Sequence, residues 1–309
     1  MAVSDFVEAL PAPPVPVRVV RASATWRDYL TLTKPRIMSL LVLTAVCAMV
    51  AAAGGAPALV PLGALVIGGA LACGGASALN HVLDSDIDRL MGPRTASRPV
   101  AAGRISPARA TAFGLVLSAL AFAVLAVFAN PLAAALSLGG GAFYVVVYTC
   151  WLKRSTAQNI VIGGAAGAIP PLAGWAAAHG SLGLGAGFLF LIVLLWTPPH
   201  FWALALLLSR HYAAAGVPMM PVVRGPEATA RLVLWYSILL LAVTLVPGAF
   251  GTFGLTYLVG AVGLGGVLCA LAWRLRRDSS PANAGLLFHY SLLYLALLFV
   301  AVAIDAAVR

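Results

Sequence analysis

Residues 80 to 99 read NHVLDSDIDRLMGPRTASRP. The chain holds nine acidic residues in 309 positions, yet Asp84, Asp86 and Asp88 fall within five consecutive ones. On a helix, Asn80, Asp84 and Asp88 recur every fourth residue and share one face, while Asp86 points elsewhere. The spacing predicts a helix that continues from the preceding apolar run and stops at Gly92-Pro93. Ionised carboxylates one turn apart, about 6 Å, repel by roughly 3 kcal/mol at an effective dielectric of 20. No lysine lies within the stripe to offset this, and a divalent cation would. One amide and two carboxylates make an all-oxygen set suited to Mg²⁺, which fills its shell with waters and substrate phosphates. Asn80, Asp84 and Asp88 are therefore the expected metal ligands and catalytic centre. Arg94 and Arg98 follow, and their guanidinium forks match phosphate oxygens. A diphosphate on an apolar tail fits this place. The favoured reaction is ionisation of an allylic diphosphate, with Mg²⁺ and arginine stabilising the leaving group and an electron-rich acceptor attacking the carbocation.

The elements that must position these groups cross a membrane. At 62% hydrophobic and 9% charged, with a mean hydropathy of +1.00, the chain lies far from the soluble norm of about 25% charged residues. The net charge of +10 does not point to nucleic acid, because the basic residues flank apolar runs and form no patch interleaved with aromatics. Cys47, Cys73, Cys150 and Cys269 lie scattered in apolar segments without metal-ligand spacing. Charge-free windows at 37–83, 110–152, 155–209 and 232–273 are each long enough for two spans, and 279–304 for one. Neutral breakers at Gly54-Gly55-Ala56-Pro57, Asn130-Pro131, His179-Gly180 and from Gly248 to Gly254 divide the long windows. The expectation is an all-α, polytopic membrane protein, with nine transmembrane helices around a central cavity open to the cytoplasmic side. Eighteen of the 19 Lys and Arg residues fall on one side of these spans, with Arg309 opposite, which places the N-terminus in the cytoplasm. Residues 1–24 read as a flexible cytoplasmic tail and 25–309 as one membrane domain, in a bacterial inner membrane.

Other segments add candidates. Lys153 and Arg154 end span 4 in YTCWLKRSTAQN, where they serve either phosphate binding or topology. Pro198-Pro199 is expected to break span 6 near its middle and to open a cavity. His200 follows the pair, among Trp196, Phe201 and Trp202, as a packed histidine or as a ligand to an acceptor. The glycines of GGAAGAIPP, 163 to 171, read first as close helix packing and second as room for a flat ligand.

At these residues the chain resembles the intramembrane aromatic prenyltransferases, whose NxxxDxxxD signature matches Asn80, Asp84 and Asp88. Within that superfamily it is similar to the haem-farnesylating branch through LTKPR at 32 to 36, DIDRLM running into RTASRP at 86 to 99, LKRSTAQNIVIGGAAGAIPPLAGW at 152 to 175, WTPPHFWALAL, and AGVPMMPVVRG. The resemblance runs from about residue 28 to the C-terminus. It implies Mg²⁺-dependent transfer of farnesyl from farnesyl diphosphate to a vinyl group of haem b, on the route to haem-copper oxidases, with a haem A synthase as a partner. The site set it implies is Asn80, Asp84 and Asp88 for metal and catalysis, with Arg36, Arg94, Arg98, Lys153, Arg154, Asn159 and His200 for substrate. One departure stands out. Acidic residues usual before the Tyr of the helix 6–7 loop are replaced by Arg210-His211-Tyr212, and the only acid there is Glu227. Two rivals remain: a prenyltransferase for a quinone precursor or chlorophyll-type acceptor, which would lack TPPHFWALAL, and a transporter, which the near absence of charge within the spans and of an inverted repeat disfavours.

Overall fold

The computed structural model describes residues 24–309, so the expected tail, up to residue 23, lies outside the described residues. Among the described residues the structure is helical, and nine helices are long and apolar enough to cross a membrane. In chain order the elements are α1 (Trp26–Leu32), α2 (Pro35–Ala53), α3 (Leu59–Leu83), α4 (Ser85–Leu90), α5 (Pro93–Ala96), α6 (Pro107–Phe128) and α7 (Pro131–Ser155). They continue with α8 (Asn159–His179), α9 (Leu184–Leu207), α10 (Ser209–Ala214), α11 (Met220–Ala249), α12 (Leu255–Arg277) and α13 (Pro281–Val308). The spans are α2, α3, α6, α7, α8, α9, α11, α12 and α13; the rest are short connectors at one end of the bundle.

The neutral breakers end helices as expected, each by its own local chemistry. Gly54 and Gly180 take left-handed caps at φ 65° and 68°, a conformation that costs glycine little. Asn130 caps α7 by accepting from the Ala133 N–H at 2.9 Å and donates to the Ala176 carbonyl at 2.7 Å. Lipid gives helices no hydrophobic drive to associate, so close packing must hold them. Gly174 shows how close: a Cβ there would lie 1.9 Å from the Ala45 carbonyl oxygen. The larger buried cluster joins α9 to α11, α12 and α13 through Trp202, Tyr257, Tyr294 and Phe299, while α2, α3, α6, α7 and α8 share a core in which alanines meet Met49, Leu65 and Leu125.

Two local expectations are corrected. Pro198-Pro199 does not break span 6: α9 runs as one helix from Leu184 to Leu207 with both prolines inside, their lost hydrogen bonds tolerated within a buried segment. The stripe, in turn, is not one helix. α3 ends at Leu83, Asp84 takes φ −91° and ψ 4° as a hinge, and α4 starts at Ser85. The Gly92-Pro93 stop stands, with Gly92 at φ 114°.

Candidate functional site

The hinge keeps the stripe's register because hydrogen bonds of helical spacing cross it: Asp84 N donates to Asn80 O at 2.9 Å, and Asp88 N to Asp84 O at 2.8 Å. Asn80, Asp84 and Asp88 therefore share a face and are 3%, 1% and 1% exposed. Asp86 turns away into an exposed pair with Arg154, whose guanidinium reaches both carboxylate oxygens, at 2.7 and 2.8 Å, and the Leu83 carbonyl at 2.7 Å. Those bonds hold the Asp86 carboxyl down at about 2 and satisfy a carbonyl left open at the end of α3.

The expectation that no lysine offsets the carboxylates holds within the stripe and fails in space, because three cations arrive from three other elements. Lys153 at the end of α7 meets Asp84 Oδ2 at 2.5 Å, and Arg98, between α5 and α6, meets Asp88 Oδ1 at 2.6 Å. Lys34, ahead of α2, donates to Asn80 Oδ1 at 2.8 Å. Lys34 is the only non-glycine residue with positive φ among the described residues, a backbone state that persists only where its surroundings enforce it. Burial, with Arg98 and Lys153 near, pushes its ammonium down to about 7, whereas burial pushes the Asp88 carboxyl up against the pull of Arg98.

Asn80 links these parts. Its Nδ2 donates to Asp84 Oδ2 at 2.7 Å and to Thr149 Oγ1 at 3.1 Å. A lysine only donates and a carboxylate only accepts, so these two partners fix which way the amide faces. Two buried oxygens are left without a partner, Asp84 Oδ1 and Asp88 Oδ2. No group of three His, Cys, Asp or Glu side chains forms a metal site among the described residues. A divalent ion with few protein ligands still fits, because Mg²⁺ commonly takes one or two carboxylates and completes its shell with water and phosphate. The two open carboxylate oxygens are that donor set, and Arg98 and Lys153 balance the two carboxylates, with Lys34 adding positive charge whenever it is protonated, so the centre can accept a polyanion.

Thr149 and Lys153 reach the stripe through a π-helical segment, Phe143–Leu152, within α7. Wide turns of this kind recur at functional sites. Thr149 Oγ1 donates to the Tyr144 carbonyl, five residues back, at 2.9 Å, a bond matched to the wider turn. Tyr144 and Tyr148 stack at 5.5 Å, and Tyr148 lies against Gly163, where a Cβ would come within 2.3 Å of its ring. Of the GGAAGAIPP glycines, Gly163 and Gly164, the latter against Thr197, follow the packing reading, while Gly167 has nothing within 4 Å of where a Cβ would lie.

The other expected site residues divide. Arg36 and Arg94 are exposed and join none of these contacts. Asn159 is fully buried, donates to the Thr156 carbonyl at 2.7 Å and leaves its Oδ1 unpartnered. His200 lies between the rings of Trp196 and Phe288, at 4.4 and 4.8 Å, with Nδ1 on Ser291 Oγ at 2.8 Å. From the 6–7 loop, His211 rests on Gly92, and buried Tyr212 has its phenol pushed up to about 12. Sequence reasoning passed over Lys34, Thr149 and His81. His81 is 2% exposed with both ring nitrogens unpartnered. Lys34 carried a legible signal, as a lysine held before a proline at the mouth of a span. Thr149 carried none, since a π-turn leaves no mark in helical periodicity.

Fold and site together define a polytopic membrane protein with a cation-rich polar centre at one end of its helical bundle. The chain belongs to the UbiA prenyltransferase family, whose profile matches residues 41–303. It is 50% identical over 282 residues to the protoheme IX farnesyltransferase of Roseiflexus castenholzii, covering 91% of this chain and 52% of that protein. With the protoheme IX farnesyltransferase of Gloeobacter violaceus it shares 51% over 289 residues, 93% of this chain and 94% of the other. The chain thus spans about half the length of some curated relatives and nearly all of others. Among solved structures, that of a digeranylgeranylglyceryl phosphate synthase superposes with a TM-score of 0.75 at 18% identity, covering 92% of this chain and 99% of that one. A UbiA homologue from Archaeoglobus fulgidus bound to GPP and Mg²⁺ gives 0.63 at 17%, covering 89% and 99%. These likenesses establish the fold.

Proposed function

We propose that the chain transfers the farnesyl group of farnesyl diphosphate to a vinyl group of haem b, giving haem O and diphosphate for haem-copper oxidase assembly. The observation that carries the reading is the pair of open oxygens, Asp84 Oδ1 and Asp88 Oδ2, buried among Lys34, Arg98 and Lys153, in a chain half identical to protoheme IX farnesyltransferases. In this reading the C–O bond between farnesyl C1 and diphosphate breaks, and C1 bonds to the terminal vinyl carbon. Water adds to the other vinyl carbon and gives up a proton. Asp84 and Asp88, with Asn80 beside them, would hold Mg²⁺, which when bound supplies positive charge to the leaving diphosphate. Arg98 and Lys153 would add fixed positive charge to the same oxygens, and the exposed Arg94, Arg154 and Arg36 would attract the diphosphate from the surface. The porphyrin would lie toward α9, near His200 and Asn159. On the positive-inside bias this end would face the cytoplasm, in a bacterial inner membrane, and a haem A synthase would take the product onward. The A. fulgidus homologue, bound to GPP and Mg²⁺, supports the pairing of diphosphate with metal.

The test is direct: purified chain is incubated with farnesyl diphosphate, haem b and Mg²⁺, and the pigments are separated chromatographically. Haem O should form and should stop forming on chelation. Farnesylation of a quinone precursor with haem left unchanged would replace the acceptor and keep the chemistry.

A further inference from the structure

Arg98 belongs to no helix. It sits in the connection between α5 and α6 and still points a guanidinium at Asp88, so something must fix the peptide that carries it. Residues 98 to 105 fold into a knot of short backbone bonds, Ala102 N to Arg98 O at 2.8 Å and Arg104 N to Pro99 O at 2.9 Å among them. Val100 and Ile105 are buried with Leu32 of α1. Arg104 crosses the knot: its Nε donates to Asp28 Oδ1 at 2.8 Å, and its NH2 donates to the carbonyl of Ser97, the residue before Arg98, at 2.9 Å. Asp28, in turn, is held by α1, where its Oδ2 accepts from the Thr25 N–H at 2.9 Å and the Thr25 hydroxyl at 3.0 Å. It is 8% exposed. Hydrogen bonds therefore lead from the first turn of α1 through Asp28 and Arg104 to the Ser97 carbonyl, and the peptide that this carbonyl belongs to carries Arg98, which pairs with Asp88. A guanidinium can do this because its planar fork fixes two acceptors at once.

We propose that Asp28 and Arg104 are positioning residues of the diphosphate site, a clasp by which α1 sets the direction of Arg98; this rests on the reading that Arg98 holds the diphosphate. Neither residue touches the stripe. The apolar contacts of Leu32, Val100 and Ile105 remain when the clasp is opened, so the variants keep the fold and lose the aim of one side chain. Asp28→Asn is the informative change, because an amide oxygen still accepts the Thr25 hydrogen bonds while the charge facing Arg104 is gone.

The experiment titrates farnesyl diphosphate with Mg²⁺, in the absence of haem, into the full chain in detergent. The variants are Asp28→Asn, Arg104→Gln, Arg104→Lys and, as reference, Arg98→Ala. Haem affinity, melting temperature and amide exchange of residues 97 to 105 are read on the same samples. Asp28→Asn and Arg104→Gln should each weaken diphosphate binding about tenfold, near 1.4 kcal/mol, and speed exchange in the knot, with haem affinity and melting temperature unchanged. Arg104→Lys, which keeps the charge and loses the fork, should recover only part. If Arg98→Ala weakens binding while both clasp variants bind as the parent does, the clasp is overturned and the diphosphate reading survives. If Arg98→Ala itself binds normally, the diphosphate reading falls and the clasp with it. Haem affinity and melting temperature dropping in step with diphosphate affinity would make the pair a fold contact and refute the positioning role.

Discussion

Two sets of buried carboxylates, at opposite ends of the bundle, have nearly equal burial and different states of satisfaction. Asp305, near the end of α13, is 2% exposed. It accepts from the Gly254 and Tyr257 N–H groups at the start of α12, at 2.6 and 3.3 Å, and faces Arg309 at 3.7 Å. Both of its oxygens are used, and Gly254 is packed so tightly that a Cβ would lie 2.8 Å from Asp305 Oδ1. Asp84 and Asp88 are 1% exposed, and each leaves an oxygen with no partner while cations crowd the other. Burying a polar group without a partner costs free energy. The Asp305 end has removed that cost by capping a helix; the stripe end retains it. The lesson is that burial of a carboxylate does not mark a site, whereas burial with an unused oxygen among cations does. The cavity of about 280 Å³ at the Asp305 end, lined by Trp175, Phe253 and Arg309, does not alter this, since its carboxylate is already occupied.

Topology gives the largest contrast. Reporter fusions after Pro131 and after Arg309 should read as periplasmic and one after Arg104 as cytoplasmic; an even number of crossings between Asp84 and Asp305 would put both carboxylate sets on one face. Next come the carboxylates themselves. Asp84→Asn and Asp88→Asn should each lower haem O formation by roughly 10²–10³-fold and weaken binding of Mn²⁺, used as a spectroscopic stand-in for Mg²⁺, with the melting temperature held. Asp305→Ala should do the reverse, lowering stability by about 1–2 kcal/mol through the lost cap and leaving substrate affinities alone; a variant inactive at full stability would erase the distinction. His200→Ala should lower haem affinity about tenfold and spare diphosphate binding. Unchanged haem affinity would make the Trp196–His200–Phe288 stack packing alone. The smallest effect is expected of Asp86→Asn, whose exposed pair with Arg154 is of the kind worth about 0.2–1 kcal/mol, so turnover should fall only a few-fold. A loss equal to that of Asp84→Asn would break the stripe argument.

The sequence by itself determined the nine spans, their turns and the common face of Asn80, Asp84 and Asp88, because these depend on apolar length, on local breakers and on a helical period that acts over one or two turns. It also determined that Asp86 stands apart, and that Gly92-Pro93 ends the stripe. It placed Arg98 beside the stripe as well, whereas tertiary structure alone decided that Lys34 and Lys153 converge on it, since those lysines lie far from it along the chain and arrive only once the helices pack. It decided that a π-turn delivers Thr149, and that Pro198-Pro199 leaves α9 whole. It also turned Asn80's oxygen to Lys34, because hydrogen-bond direction depends on which partners arrive from other elements, and no local pattern encodes that.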